Sequence, residues 1–327
     1  MVATIDQRSS PGAGPGRWDP APADTEGMRV VPRRHPGRWI GIAVVLVLVG
    51  MLVEGFITNP RYQWDVVGEY LFSGAVLSGL VRTLELTAIA MTIAIVLGIV
   101  LALMRLSQSI VLRGVAGAFV WLFRGTPLLV QLLFWNFISA LFPVISIGIP
   151  FIGPTFFTLD ANTVIPTFVA AILGLALYES AYMAEIVRAG ILSVDRGQFE
   201  AAQSLGMRRS VLMRKIVLPQ AMRMIIPPTG NETIGMLKFS SLVSVIGLPE
   251  LLNSVQLIYA RTFETIPMLI VATIWYLVVT TVLTIGQFFI ERHFGRGSGQ
   301  GPRPSVVGRL LRTAFTFHAR PRQGRPA

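Results

Sequence analysis

Apolar runs long enough to cross a lipid bilayer leave this chain few folds to choose from. A helix needs ~20 mostly apolar residues to traverse the hydrocarbon core. Six stretches reach or approach that length: Trp39–Ile57, Thr83–Met104, Gly117–Leu141, Thr163–Glu185, Met236–Leu252 and Ile266–Ile290. The fifth is the weakest, being short and carrying Lys238 near its start and Pro249 near its end. The balance of the whole chain agrees, with 53% hydrophobic and only 14% charged residues, where soluble domains hold about 25% charged. The fold class expected is all-α, a polytopic membrane protein with six transmembrane helices.

Basic residues test that count, because Lys and Arg accumulate in short cytoplasmic loops. With the amino terminus inside, six spans place all but five of the 28 Lys and Arg residues on the cytoplasmic side. Arg61, Arg82 and Arg261 fall outside, and Arg124 and Lys238 fall within spans. Adding or dropping one span would invert the downstream loops and destroy the asymmetry. Both termini are therefore expected in the cytoplasm, with the chain in the cytoplasmic membrane. The same distribution removes nucleic acid as a partner: a net charge of +11 and pI of 11.1 reflect loops that face anionic membrane lipid. With no cysteine in the chain there are no disulfides and no thiolate metal sites. His35, His293 and His318 lie in the tails or at a span's edge, so no metal centre or catalytic constellation can be assembled across the spans.

Residues 1–38 are rich in Pro and Gly and lack any helical or strand period, which predicts a disordered cytoplasmic tail. A basic tail covers residues 295–327, where Val307, Leu310, Leu311, Ala314 and His318 recur at helical spacing. That spacing allows a short surface helix, and a solvated tail is the equal alternative. The most polar region between spans is the loop within residues 188–235. There Ser193 and Asp195 offer helix-capping oxygens, Phe199, Ala202 and Leu205 recur at helical spacing, and Gly206 can close the turn in the left-handed conformation. One short helix is expected from about Gln198 to Leu205. A second is expected to carry Arg208 and Arg209 at its start, Leu212 and Ile216 on one face, and to stop before Pro219.

Glu200-Ala201-Ala202, then Gly206, then Ile216-x-Leu218-Pro219 resembles the EAA loop of permease subunits of binding-protein-dependent ABC importers. The segments Phe123–Phe134 (FRGTPLLVQLLF), Tyr178–Gln198, Ile225–Glu232 and Leu237–Leu252 resemble the polar amino acid branch of that family. The likeness covers residues 78–294, a five-helix permease core, and leaves the first span, residues 39–57, as an amino-terminal addition. It implies an ATP-driven importer of a polar amino acid. The partners implied are cytosolic ATP-binding subunits, an extracytoplasmic substrate-binding protein, and a second copy of the chain or a sister permease.

By that resemblance, Phe199, Glu200, Ala201, Ala202, Leu205, Gly206, Ile216, Leu218 and Pro219 form the unit that docks on the ATP-binding subunit. Ala201 and Ala202 would permit close approach, with Phe199 and Leu205 as apolar anchors. No Walker-type phosphate loop is present, so the ATP belongs to the partner, and this chain carries no cofactor and no catalytic residue. Candidates to line the pathway or a subunit interface are Arg124, Gly125, Thr126 and Pro127, the acids Glu179 and Glu185, and Asn231 and Glu232. Arg124 is equally readable as a snorkelling residue at a helix entry. Pro227-Pro228 and Gly230 are expected to break the helix before the fifth span. Two other readings stay open: an importer of the same architecture for another small polar solute, and a secondary transporter. The second normally concentrates charged residues in mid-span and often shows an internal repeat; no repeat is visible here, and the sixth span carries no charge.

Overall fold

The computed structural model describes residues 36–148 and 155–294. Both terminal tails, including the surface helix around Val307–His318, lie outside the described residues. The chain divides into two compact units, Met1–Asn59 and Pro60–Ala327. In the first, helix α1 spans Pro36–Thr58, and every side chain from Ile40 to its end is exposed. Its start lies inside the stretch expected to be tail, because proline's fixed φ suits the first turn of a helix.

The second unit opens with a 3₁₀ turn, Pro60–Tyr62, and continues through α2 (Trp64–Leu71), α3 (Gly74–Arg105), α4 (Ile110–Gly125), α5 (Leu128–Asn136) and α6 (Ile138–Leu141). Next come a two-stranded antiparallel hairpin, β1 (Val144–Gly148) with β2 (Thr155–Asp160), then α7 (Ala161–Val164) and α8 (Thr167–Leu192). The chain then forms α9 (Arg196–Ser204), α10 (Arg209–Leu212), a π-helical turn Met213–Val217, and α11 (Leu218–Phe239). A 3₁₀ segment, Ser240–Ile246, leads to α12 (Leu251–Thr262) and α13 (Thr265–Phe294). The architecture is all-α apart from that hairpin, which the hydropathy pattern gave no reason to expect.

Helices α3 and α8 form the centre and run in the same direction. At their amino-terminal ends the Arg82 guanidinium sits 5.2 Å from the centre of the Phe168 ring. Toward the other end Arg105 pairs with Glu185 at 3.3 Å. Along the contact, Ala90, Ala94, Gly98 and Ala102 place a small buried residue at every fourth position of α3. Such a stripe lets two membrane helices approach closely. A Cβ on Gly98 would collide with Met183 of α8. Two parallel helices need one returning crossing between them, and α4 with α5 supplies it.

That return is not the single helix expected over Gly117–Leu141, because α4 and α5 meet at a bend of 102°. Pro127 excludes helical backbone at the residue before it, and Thr126 sits at φ −113° and ψ 142°. Among the described residues four helices are continuous and apolar enough to span a membrane by length and composition, and the number is six if each of two bent pairs counts as one span. The second bent pair corrects the fifth span in two ways. First, Pro227 and Pro228 do not break α11, which runs through them. Beside them Gln287 of α13 donates to the Pro227 carbonyl at 3.2 Å, a contact that ties α11 to α13. Second, the break falls inside the expected Met236–Leu252 run, at Gly247, whose φ is +77°, and at Pro249.

A second apolar cluster joins α2, α3, α12 and α13 through Val67, Val76, Leu251, Val255, Met268 and Val271. Within it Glu250 is fully buried and satisfied. It caps α12 by accepting from the Asn253 N–H at 2.7 Å, and it also accepts from Tyr276 Oη at 3.0 Å and Thr83 Oγ1 at 3.3 Å.

Candidate functional site

The polar loop between α8 and α11 folds as a helix, a tight turn and a second helix. Asp195 caps α9 through its carboxylate, which accepts from the Gly197 N–H at 2.6 Å. The helix starts two residues before the expected Gln198 and ends at Ser204. Its end is a Schellman motif: the Met207 N–H donates to the Ala202 carbonyl at 3.1 Å, and the Gly206 N–H to the Gln203 carbonyl at 2.9 Å. Gly206 takes φ +67° with open space where a Cβ would stand, so conformation alone makes glycine the fitting residue. The return helix does not stop before Pro219. It passes from α10 through the π turn into α11, where Pro219 lies in the first turn and needs no N–H donor.

Burial sorts the residues of this unit. Ala202 is 2% exposed and packs into the main core with Val194, Leu212 and Val217, against which Phe199, Met207 and Ile216 also lean. Glu200, Ala201, Gly206, Leu218 and Pro219 are exposed, and Leu205 is 80% exposed. Ala202 and Phe199 thus hold α9 to its own protein, while Glu200, Ala201 and Leu205 form the outward face. The Glu200 carboxylate makes no ion pair among the described residues.

The pathway candidates separate into three places. Arg124, at the end of α4, stacks over Tyr182 of α8 with its guanidinium carbon 4.9 Å from the ring centre, a defined cation–π contact. Tyr178 Oη donates to Tyr182 Oη at 3.2 Å, and the Tyr178 ring meets Phe239 edge-on. Next to Tyr178, Glu179 is fully buried and neither carboxyl oxygen has a hydrogen-bond partner among the described residues. Glu232 of α11 lies close enough to interact electrostatically with both Glu179 and Arg124. Arg124, Tyr178, Tyr182, Glu179 and Glu232 therefore form one polar cluster where α4, α8 and α11 meet.

Glu185 and Asn231 belong elsewhere. Glu185 is clamped by Arg105 and by Arg188 at 2.7 Å, where α3 ends beside the polar loop. Asn231 accepts from Gln287 of α13 at 3.1 Å. Gly125, Thr126 and Pro127 make the bend that carries Arg124, and a residue absent from the sequence reading holds it. Gln131 Nε2 reaches the Phe123 carbonyl, the Thr126 carbonyl and Thr126 Oγ1 at 3.0, 3.2 and 2.8 Å. An amide in an apolar run was the signal for it, since most buried polar groups are paired; its Nε2 is, while its Oε1 has no partner among the described residues. Tyr178 and Tyr182 give a similar signal, one turn apart on either side of an acid. A cavity of about 780 Å³ between α3, α8, α11 and α13 has no charged residue in its lining, so it does not suit a zwitterionic ligand.

Residues 94–296 match the family model described as binding-protein-dependent transport system inner membrane component. The arginine transport system permease protein ArgU of Corynebacterium glutamicum is 44% identical over 287 residues, covering 87% of this chain and 88% of that protein. The L-cystine transport system permease protein TcyB of Bacillus subtilis is 35% identical over 234 residues, with 71% and 92% covered. Among solved structures, an amino acid ABC transporter crystallised with histidines matches at TM-score 0.60 and 38% identity, covering 70% of this chain and 98% of that one. These relatives are transport subunits, and this chain likewise belongs to the binding-protein-dependent inner membrane component family, as the permease subunit of an ABC importer for a polar amino acid.

Proposed function

We propose that this permease carries a cationic amino acid and takes its driving force from ATP-binding subunits docked on α9. The observation that carries the substrate class is Glu179, a fully buried carboxyl group with both oxygens unpartnered among the described residues, beside Glu232 and within the reach of Arg124's cluster. An unsatisfied acceptor inside a membrane protein is costly, and a ligand that donates to it offsets that cost. Arg124 is suited to a substrate carboxylate, for which a guanidinium provides paired donors. Two carboxyl groups against one guanidinium then match a zwitterion with one further positive charge. The relative named for arginine transport supports the same class.

In this reading, ATP binding closes the two ATP-binding subunits, and the rigid-body motion passes through Glu200, Ala201 and Leu205 to the spans. ATP is hydrolysed on those subunits. An extracytoplasmic binding protein delivers the substrate, and a second copy or a sister permease completes the pathway. Both termini lie in the cytoplasm.

Uptake of radiolabelled amino acids into cells lacking this chain, complemented with wild type or Glu179→Gln, tests the substrate reading. Wild type should restore uptake of arginine or lysine. Glu179→Gln should lower cationic uptake about tenfold or more, the usual weight of a hydrogen bond to a charged group, with less effect on any neutral amino acid carried. Equal loss across the panel, or restoration of neutral amino acids only, contradicts it.

A further inference from the structure

No charged or histidine residue occurs between Arg124 and Asp160. This run includes α5, α6 and the β1–β2 hairpin, and it ends with two clearly different hairpin faces. The register pairs Ile145 with Leu159, Ser146 with Thr158 and Val144 with Asp160. Side chains alternate across a strand, so Ile145, Leu159 and Phe157 share one face, and Ser146, Thr158 and Asp160 share the other with Val144 at its base. Phe157 is 68% exposed and Leu159 47% exposed, so the folded chain leaves the apolar face open.

We propose that this hairpin lies on the membrane, with Phe157 and Leu159 set into the lipid of the leaflet it borders and Ser146 and Thr158 turned to water. Continuity favours lipid as the occupant. Phe134, Phe137, Leu141 and Phe142 are exposed along the segment that leads from the α4–α5 pair to β1, so exposed apolar side chains recur along the chain from that pair to the hairpin. A docking site for a soluble protein has a polar rim around its apolar core. Here the nearest charge, Asp160, is on the opposite face and is already used: it caps α7 by accepting from Asn162 and Thr163 N–H groups at 2.8 and 3.2 Å. The ladder continues one rung past Val144 and Asp160 through the Ala161 N–H, which donates to the Pro143 carbonyl at 2.9 Å, so the pairing that separates the two faces is closed at its base, as an interfacial amphipathic element requires.

Because the chain has no cysteine, single-cysteine variants report one position each. Phe157→Cys, Leu159→Cys, Ser146→Cys and Thr158→Cys would be labelled with an environment-sensitive fluorophore in the full chain, assembled with its ATP-binding subunits in lipid nanodiscs. Brominated phospholipid should at least halve the emission at positions 157 and 159 and leave 146 and 158 little changed, and aqueous iodide should give the reverse pattern. Each apolar variant keeps the other apolar side chain, so loss of one does not remove the face. Iodide quenching at all four positions would show a water-facing hairpin. Protection of 157 and 159 from both quenchers would show a protein-covered one, and either result overturns the proposal.

Discussion

Gln131 shows how much one side chain can decide in this membrane setting. Its amide holds the carbonyls of Phe123 and Thr126 and the Thr126 hydroxyl, and so stabilises the bend from which Arg124 reaches Tyr182. Replacing it with leucine keeps the volume and strands those acceptors in an apolar surrounding, which costs about 1–3 kcal/mol for a buried group left unpaired. Gln131→Leu should therefore lower the thermal stability of the purified permease and weaken uptake, and Gln131→Glu, which offers no N–H donor, should not rescue either. A melting temperature equal to wild type in both variants would deny Gln131 this role. Residue-level features of the polar loop were legible in sequence because they are local: Asp195 and Gly206 act within one turn of α9. Glu250 was not legible, since its partner Thr83 lies 167 residues away and no local pattern announces the pair.

At the scale of elements, α9 has one face that belongs to its own fold and another that the fold leaves open. Leu205→Glu changes a side chain that is 80% exposed, so the stability of the permease should stay within about 0.5 kcal/mol of wild type, while association with the ATP-binding subunits weakens. Ala202→Glu forces a carboxylate into the core beside Val194 and Val217 and should lower the folded yield itself. Thermal melts of the isolated permease, with co-purification of the ATP-binding subunit, separate the two outcomes. Equal destabilisation by both variants would mean that α9 has no free face. Hydropathy revealed the lengths of the apolar elements and missed their bends. Thr126-Pro127 and Gly247 interrupt helices without interrupting apolarity, and Pro227-Pro228 lie inside α11 without ending it.

For the whole molecule, the parallel course of α3 and α8 and the placement of basic residues demand the same threading. Arg105, Arg188 and the loop that carries Arg208 belong at one end, and Arg82 with Asp160 at the other. A reporter active only in the cytoplasm should work when fused after Arg208 and fail when fused near Asp160; the opposite pattern would refute the orientation proposed for the chain. Six apolar runs were enough to read the class of fold, and their flanking charges supply the expected side of each loop. The polar cluster of Arg124, Glu179 and Glu232 was only partly legible, because its members come from three helices that no spacing rule brings together. The central claim, that this chain converts ATP-driven motion into amino acid movement through α9, is tested most directly by reconstituting the permease with its ATP-binding subunits and measuring binding-protein-stimulated ATP hydrolysis and uptake together. Gly206→Val opposes a left-handed backbone by about 1–2 kcal/mol with open space around the added Cβ, and Glu200→Lys reverses the charge of the exposed face. In both variants the permease should still insert and fold while stimulated hydrolysis and uptake collapse together, and normal stimulation with normal uptake in both would contradict the account.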